Sequence, residues 1–260
     1  MGMQFFGQEF IIKELNIILE NLKREHSHIN LLFRAPSGCG KTTVGLICIQ
    51  YLGLDDFAYY IPDSSGMIKF REDKWIHFID EIHALKHPEI LYPYMDSNKY
   101  IFLLTSNVSG KLSEPLKDRC IQLVFQPYSV HEMSLIIKSM LKDFTLSEEM
   151  YIEIAKRCRN TPRVAKIICE RLTHTFKSYL LPRNITELNH ILKDILNIRE
   201  DGINEMDQIY LDYLGKVRNS SLKNIIYGTG LDKETIITEI EPQLLRLNLI
   251  KITSRGREIC

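Results

Sequence analysis

The sequence has no apolar run approaching the roughly 18 to 20 residues that a membrane-spanning helix needs. Its first ten residues, MGMQFFGQEF, lack a basic segment followed by an apolar one, so the reading is a cytoplasmic protein with no membrane partner. Low-complexity tracts and Pro/Gly-rich stalks are also missing, which excludes fibrous and linker-dominated classes. The 6 cysteines are scattered without a CxxC pair in a chain too long to need stapling, and they read as free thiols. No excess of either charge exists: Lys plus Arg and Asp plus Glu each total 33, so any basic surface for nucleic acid must be local. His83 and His87 stand four apart, as two metal ligands on one helix face would, but no third ligand or HExxH pattern accompanies them. What is present, 45% hydrophobic and 25% charged residues over 260 positions, describes a soluble globular chain of several domains.

Along the chain, residues 8–23 place Phe10, Ile11, Leu15, Ile18, Leu19 and Leu22 at helical spacing. Ile29–Phe33 is a short apolar strand that runs into the turn-forming Ala35–Gly40, after which Thr42–Leu52 reads as a helix. Two more apolar runs, Trp75–Ile79 and Tyr100–Leu104, each end in polar residues, the pattern of buried parallel strands between helices. From Ser129 the periodicity is helical alone, over Val130–Lys142, Ser147–Arg157, Pro162–Tyr179 and Ile185–Leu196. The polar stretch Ile198–Gly202 reads as a linker, followed by helices, a final strand Leu249–Ile252 and a turn at Thr253–Arg257. The predicted division is 1–126, an α/β domain; 127–200, a helical domain; and 201–260, a third domain.

Ala35-Pro36-Ser37-Gly38-Cys39-Gly40-Lys41-Thr42 fits a phosphate-binding loop with Ala in place of the first Gly. Small residues let backbone N–H groups curl around phosphates at a helix N-terminus, where the dipole favours negative charge; Thr43, in the first turn of that helix, joins the nucleotide-binding residues. Lys41 would reach the β- and γ-phosphates of ATP, and Thr42 would offer a hydroxyl to Mg²⁺. The strand ending Phe78-Ile79-Asp80-Glu81 follows about forty residues later, as a Walker B motif does. Asp80 would hold Mg²⁺ and Glu81 would act as general base on the attacking water. Thr105-Ser106-Asn107 closes the next strand, and Asn107 is the candidate sensor of the γ-phosphate.

In order along the chain, Phe6-Gly-Gln-Glu9, the phosphate loop, Phe78-Ile-Asp-Glu-Ile-His83, Leu91-Tyr-Pro93, Pro115-Leu-Lys-Asp-Arg119, Asn160-Thr-Pro-Arg163, Gly202-Ile-Asn-Glu-Met-Asp207, Glu241-Pro-Gln-Leu-Leu245 and Thr253–Arg257 resemble the RuvB-type AAA+ ATPases, the Holliday-junction branch-migration motors. The resemblance implies an AAA+ P-loop ATPase domain with a parallel sheet flanked by helices, an all-α lid and a C-terminal winged helix. It also implies a ring-like, hexameric homo-oligomer with ATP between subunits. It places Arg119 at the arginine-finger position, Arg163 at the sensor-2 position, and Phe6, Gly7 and Gln8 where the family's segment packs on adenine. In the winged helix, Ser221–Tyr227 and Lys233–Arg246 are the paired helices, and Lys251, Arg255 and Arg257 on the hairpin would contact DNA phosphates, duplex or junction, with little regard to sequence. Eight basic and eight acidic residues balance between Ile203 and Cys260, so this expectation rests on local clustering.

Two departures bear on function. RuvB-type proteins carry a long hairpin before the sensor strand that grips RuvA, whereas here Met95-Asp-Ser-Asn-Lys99 runs almost directly into Tyr100, which points to a protein partner other than RuvA. Tyr60–Gly66 also replaces the family's sequence. An ATP-dependent DNA motor is the leading reading; a loader or remodeller that places a partner protein on DNA, or a phage or mobile-element assembly factor whose winged helix grips protein, are the alternatives.

Overall fold

The structure, a computed structural model, describes residues 5–25, 28–53, 57–107, 112–178, 181–199 and 201–260. The chain divides into two compact units, Met1–Tyr128 and Ser129–Cys260.

In the first unit, helix α1 (Glu9–Glu25) is followed by strand β1 (Ile29–Arg34), helix α2 (Lys41–Leu52) and strands β2 (Phe57–Tyr60) and β3 (Ile76–Ile79). Helix α3 (Tyr92–Met95), strand β4 (Ile101–Ser106), helix α4 (Glu114–Asp118) and strand β5 (Ile121–Val124) complete it. The strands form one parallel sheet in the order β2-β3-β4-β1-β5. The apolar runs read from the sequence are its three interior strands, and their burial explains their composition: Leu31, Leu32, Phe33, Ile76, Phe78, Ile79 and Ile101 to Leu104 are all fully buried. Each such side chain contributes about 2 kcal/mol through removal from water. Helix α2 packs on β1, β4 and α1. It can lie close because Gly45 faces the Phe78 ring, where an added Cβ would come within 2.7 Å of Cζ.

The opposite face of the sheet is covered by Ile82, Leu85, Leu91, Met95, Leu112 and Leu116. At its edge an aromatic stack encloses a histidine. Phe70 lies 4.3 Å from the His77 ring and 4.4 Å from Tyr94, and the Tyr60 hydroxyl meets His77 Nδ1 at 3.1 Å. His77 is fully buried and its Nε2 has no hydrogen-bond partner among the described residues.

The second unit begins with α5 (Val130–Met140), α6 (Glu148–Lys156), α7 (Pro162–Ser178) and α8 (Ile185–His190), the last running on into a wide π-type turn, Ile191–Ile195. The predicted end of the third of these, Tyr179, lies outside the described residues. Polar residues start these helices as the sequence suggests: Ser129 accepts from Glu132 N while Glu132 accepts from Ser129 N, and Asn184 accepts from Glu187 N. Then follow α9 (Glu205–Val217), β6 (Asn219–Ser220), α10 (Leu222–Thr229), α11 (Lys233–Thr235), α12 (Glu241–Arg246), β7 (Ile250–Thr253) and β8 (Gly256–Ile259). The strands make a small antiparallel sheet, β6-β8-β7, and the helices bury Tyr210, Leu214, Ile225, Ile236, Ile240 and Leu244. The helix predicted over Lys233–Arg246 is interrupted by a π-type turn at Ile236–Ile240.

A polar clamp explains why the helical and C-terminal segments fall in one unit. Arg159 pairs with the buried Asp207 and donates to the carbonyls of Gly202 (3.1 Å) and Glu239 (3.3 Å), and Arg246 donates to Asn160 Oδ1 (2.9 Å). Arg159 and Asn160 both have positive φ, which turns the chain so that both side chains reach the C-terminal helices.

Burial holds the His77 imidazole neutral, with its pKa pushed down to about 4. Below pH 6.5 the unfolded chain gains a proton here that the folded chain refuses, so stability falls as pH drops from 6.5 towards 4, by up to about 3 kcal/mol. Urea unfolding across this range checks it: His77→Phe is expected to flatten the acid-side slope, and an unaltered slope would assign the acid sensitivity elsewhere.

Candidate nucleotide site

The glycine loop leaves the C-terminal end of β1 and enters α2 through Gly40, whose φ of 87° is a left-handed conformation that a side chain would disfavour. Gly38, at φ 80°, makes the other sharp bend. Lys41 is buried and its ammonium donates to the carbonyls of Ala35 and Pro36, both at 2.9 Å, so the amine is folded into the loop it belongs to. Cys39 is buried below the loop and its carbonyl accepts from Tyr128 Oη at 3.2 Å, whereas Pro36 and Thr43 are exposed and Ser37 half-buried.

The chain before α1 folds against this loop. The Phe5 ring lies over Gly40, close enough that a Cβ there would sit 3.1 Å from Cζ. Phe6 and Gly7 are half-buried, and Gln8 is buried with its side-chain amide paired to the backbone of Gln126: Nε2 donates to the carbonyl at 2.7 Å and Oε1 accepts from the N–H at 2.9 Å. The Phe6-Gly7-Gln8 segment is thereby fixed beside the phosphate loop.

Asp80 follows β3 directly, and its carboxylate gathers hydroxyls from three other segments. Thr42 Oγ1 donates at 3.0 to 3.2 Å, Tyr59 Oη at 2.9 Å, and Thr105 Oγ1 to Oδ1. The parallel pairing of β2, β3 and β4 brings these residues together, since Tyr59 lies in register with Phe78 and Thr105 follows Leu104, the partner of Ile79. Thr105 also accepts from the backbone N–H of Glu81 at 3.0 Å. Glu81 has φ 57°, a left-handed conformation that costs a residue with a side chain of order 1 kcal/mol and turns it away from the sheet. Asn107 Nδ2 reaches Glu81 Oε1 at 3.4 Å, and His83 Nδ1 lies 3.4 Å from both Ser106 Oγ and Asn107 N. His87 pairs with Glu89 instead. Burial and the neighbouring Asp80 carboxylate push the Tyr59 hydroxyl up to about 12, so it donates its proton throughout the physiological range. Tyr59 carries no signal in the sequence, and Thr105 stands there only as one of three polar residues at a strand end, because what makes both part of the site is strand register.

Arg119 is elsewhere in the same unit. Asn30, at the start of β1, donates to the Arg119 carbonyl at 3.0 Å, whereas the phosphate loop follows Arg34 at the other end of that strand. Four strand residues separate the two by roughly 13 Å along β1 alone. Arg163 is an exposed residue in the first turn of α7, in the second unit.

The hairpin residues differ among themselves. Arg257 donates from Nε to Glu241 Oε1 at 2.8 Å, and Glu241, buried, also accepts from Tyr210 Oη at 2.9 Å. Lys251 pairs with Glu258 at 3.3 Å while staying exposed, and Arg255 is exposed at the tip between β7 and β8.

Residues 2–112 match the family described as the Holliday junction DNA helicase RuvB P-loop domain, and residues 200–260 match the RuvB C-terminal winged helix domain. The chain is 32% identical to the Holliday junction branch migration complex subunit RuvB of Campylobacter jejuni, over 97% of this chain and 86% of the relative. The chain belongs to the RuvB family. RuvB of Helicobacter pylori is likewise 32% identical, over 97% of this chain and 85% of the relative. Among solved structures, the Thermotoga maritima RuvB Holliday junction branch migration motor superposes with a TM-score of 0.84 at 28% identity, covering 98% of this chain and 93% of that one. RuvB-family membership makes the chain a nucleotide-binding P-loop ATPase. The Campylobacter alignment runs over 289 positions, more than the 260 residues of this chain, so the RuvB relative carries insertions within the matched span that are absent here.

The hydroxyls around Asp80 differ in what they support. Thr105→Val would leave the Glu81 N–H without its acceptor and remove one of the two donors to Asp80 Oδ1, and is expected to cost about 1–3 kcal/mol. Tyr59→Phe, at a side chain 43% exposed, is expected to cost well under that, at most about 0.5 kcal/mol. Denaturant midpoints of the two variants compare them directly, and equal losses would contradict the assignment of Thr105 as the internal brace.

Proposed function

We propose that the chain is an ATP-driven motor that moves four-way or duplex DNA, working as a ring of identical subunits. The observation that supports this is that Lys41, Thr42, Asp80, Glu81 and Asn107 gather at one end of the sheet while Arg119 hangs from Asn30 at the other end of β1. Lys41 would leave the Ala35 and Pro36 carbonyls for the β- and γ-phosphates, while backbone N–H groups of Gly38 to Thr42 cradle them. Thr42 and Asp80 fit the ligation of Mg²⁺, a hydroxyl and a carboxylate already in hydrogen-bonding distance of each other; the ion would neutralise charge on the phosphates. Glu81, turned out of the sheet by its left-handed backbone, would take the proton of the attacking water, and Asn107 would fix Glu81 and sense the γ-phosphate. Phe6, Gly7 and Gln8 would wall the adenine, supported by the bonds that tie Gln8 to Gln126. Arg119 cannot reach a nucleotide held by its own Lys41 from the opposite end of the strand, so its role is to serve the nucleotide of a neighbouring copy, for which a hexameric ring is the family's arrangement. Arg163 would close the lid, residues 127–200, onto the nucleotide, and the winged helix, residues 201–260, would carry DNA. No helix among the described residues is long and apolar enough to cross a membrane, which is compatible with a cytoplasmic protein.

One observation favours the loader or remodeller as a second reading. The outward side of α11 and α12 and the turn between them bears Ile237, Leu245, Glu234 and Glu239, more suited to a protein surface than to phosphates. The connection from α3 to β4 is only residues 96–100, closed by Ser97 Oγ on the Tyr94 carbonyl at 2.7 Å, so no apolar projection exists there for RuvA and a different protein partner is proposed.

The test of the nucleotide site separates binding from chemistry. Lys41→Ala is expected to lose nucleotide binding, whereas Glu81→Gln keeps binding and drops turnover about a hundredfold or more, read by nucleotide titration and phosphate release. Normal turnover in Glu81→Gln would remove Glu81 as the base. Lys41→Ala and Arg119→Ala proteins, each inactive alone, are expected to regain ATPase activity when mixed.

For the winged helix, Arg255→Ala is expected to weaken binding to all DNA sequences alike and to reduce the salt slope by about one, with thermal stability unchanged. Arg257→Ala is expected instead to destabilise the fold by about 3 kcal/mol, because it strands a buried Glu241 carboxylate. Unchanged DNA affinity in Arg255→Ala would move the preference to the protein-binding reading.

A further inference from the structure

Asn30 draws two separate loops together beneath one arginine. Its Nδ2 donates to the Met95 carbonyl at 3.3 Å as well as to that of Arg119, so the turn after α3 and the end of α4 hang from a single side chain at the start of β1. On this support the Arg119 guanidinium is oriented from three sides. Nε donates to both oxygens of Asp96, at 3.0 and 3.1 Å, and Nη1 donates to the Pro115 carbonyl at 2.9 Å. Its plane sits over the Tyr92 ring, 4.4 Å from the centroid, and Tyr92 Oη meets Ser113 Oγ at 3.0 Å. No hydrogen bond from Nη2 is found among the described residues, and the Arg119 side chain stays 30% exposed beside an open cavity of about 480 Å³ lined by Asn30, Asp96, Asn98, Asp118 and Cys120.

We propose that Asp96 and Tyr92 are positioning residues for Arg119, holding its guanidinium with the Nη2 edge outward for the phosphates of a nucleotide bound by a second copy of this chain. The inference rests on the reading of Arg119 as a finger that acts between subunits. Arginine has a large rotamer freedom, and a donor that must first be ordered gives up part of its interaction to that ordering. A guanidinium fixed through Nε has that freedom removed in advance while the edge needed for a phosphate oxygen is left open, which is the arrangement that stabilises charge developing in a transition state. Asp96 does not cancel the arginine's charge towards such a phosphate. Its carboxylate is 54% exposed, so water screens it, and it engages the Nε side rather than Nη2. Asp96 is available because the α3 to β4 connection is short: its first residue falls beside α4, where a long insertion would have carried it away.

Mixed assemblies distinguish positioning from general support. In a mixture of Lys41→Ala and Arg119→Ala proteins, the working nucleotide belongs to the Arg119→Ala subunit and the working arginine to the Lys41→Ala subunit. Asp96→Asn on the Lys41→Ala chain is expected to lower kcat of the mixture about tenfold with KM for ATP unchanged, and Asp96→Glu there to restore most of it. The same Asp96→Asn on the Arg119→Ala chain, which has no arginine to position, is expected to leave the mixture at its reference rate. Equal losses in both placements would overturn the proposal by making Asp96 a general support of fold or assembly. No loss, or a gain, with Asp96→Asn on the arginine-bearing chain would overturn it as well, a gain meaning that Asp96 restrains the finger. Absence of activity in the reference mixture, with mixed rings confirmed by sedimentation, would defeat the shared-site reading itself and the proposal with it, an outcome separate from the other two.

Discussion

The chemistry of the first unit depends on one carboxylate. Asp80 receives hydroxyls from the phosphate-loop helix, from β2 and from β4, and Thr105 passes the connection on to the backbone of Glu81. A carboxylate at the edge of a buried sheet would otherwise be poorly solvated and free to choose among orientations; three donors fix it facing the phosphate loop. They also make the pair of acids unequal. Asp80 is held in place by its neighbours, while Glu81 is rotated away by a left-handed backbone and touches only Asn107 with its side chain among the described contacts. A fixed acid and a released acid therefore arise from adjacent residues, and the strand pairing that aligns β2, β3 and β4 is what separates them, as the roles proposed for them would require.

The second constraint is directional. A parallel sheet has two ends, and β1 carries the nucleotide loop at one and the Asn30 support of Arg119 at the other. No side-chain rotation bridges a strand's length. The ring proposed above draws on this separation as well as on family membership, because an Arg119 that served the nucleotide would have to do so on another copy.

Much of this was legible in the sequence. The phosphate loop, the paired acids and the order of the family's motifs stand in contiguous words, and the interior strands β1, β3 and β4 read as apolar runs because both their faces are covered. The two outer strands did not: β2 is four residues of mixed exposure, and in β5 only Leu123 is buried, so neither carries the signal of a buried strand. The interruption at Ile236–Ile240 is equally silent, since a π-type turn keeps apolar residues nearly where a regular helix would. Tyr59 has no local signature, Thr105 shares its polar strand end with Ser106 and Asn107, and the engagement of Arg257 by Glu241 depends on a fold that brings residues sixteen apart together. Patterns along the chain reveal a residue's type and periodicity, but not which distant partner claims its polar atoms.

Motion along DNA powered by ATP is the central property of the proposed motor. The most direct measurement is the conversion of a labelled four-way junction into duplex products by the chain alone, with ATP, followed over time with and without added RuvA. The expected result is ATP-dependent conversion at a rate that RuvA does not change. Junction conversion that appears only with RuvA, or ATP hydrolysis that responds to a replication protein while the junction stays intact, would contradict it.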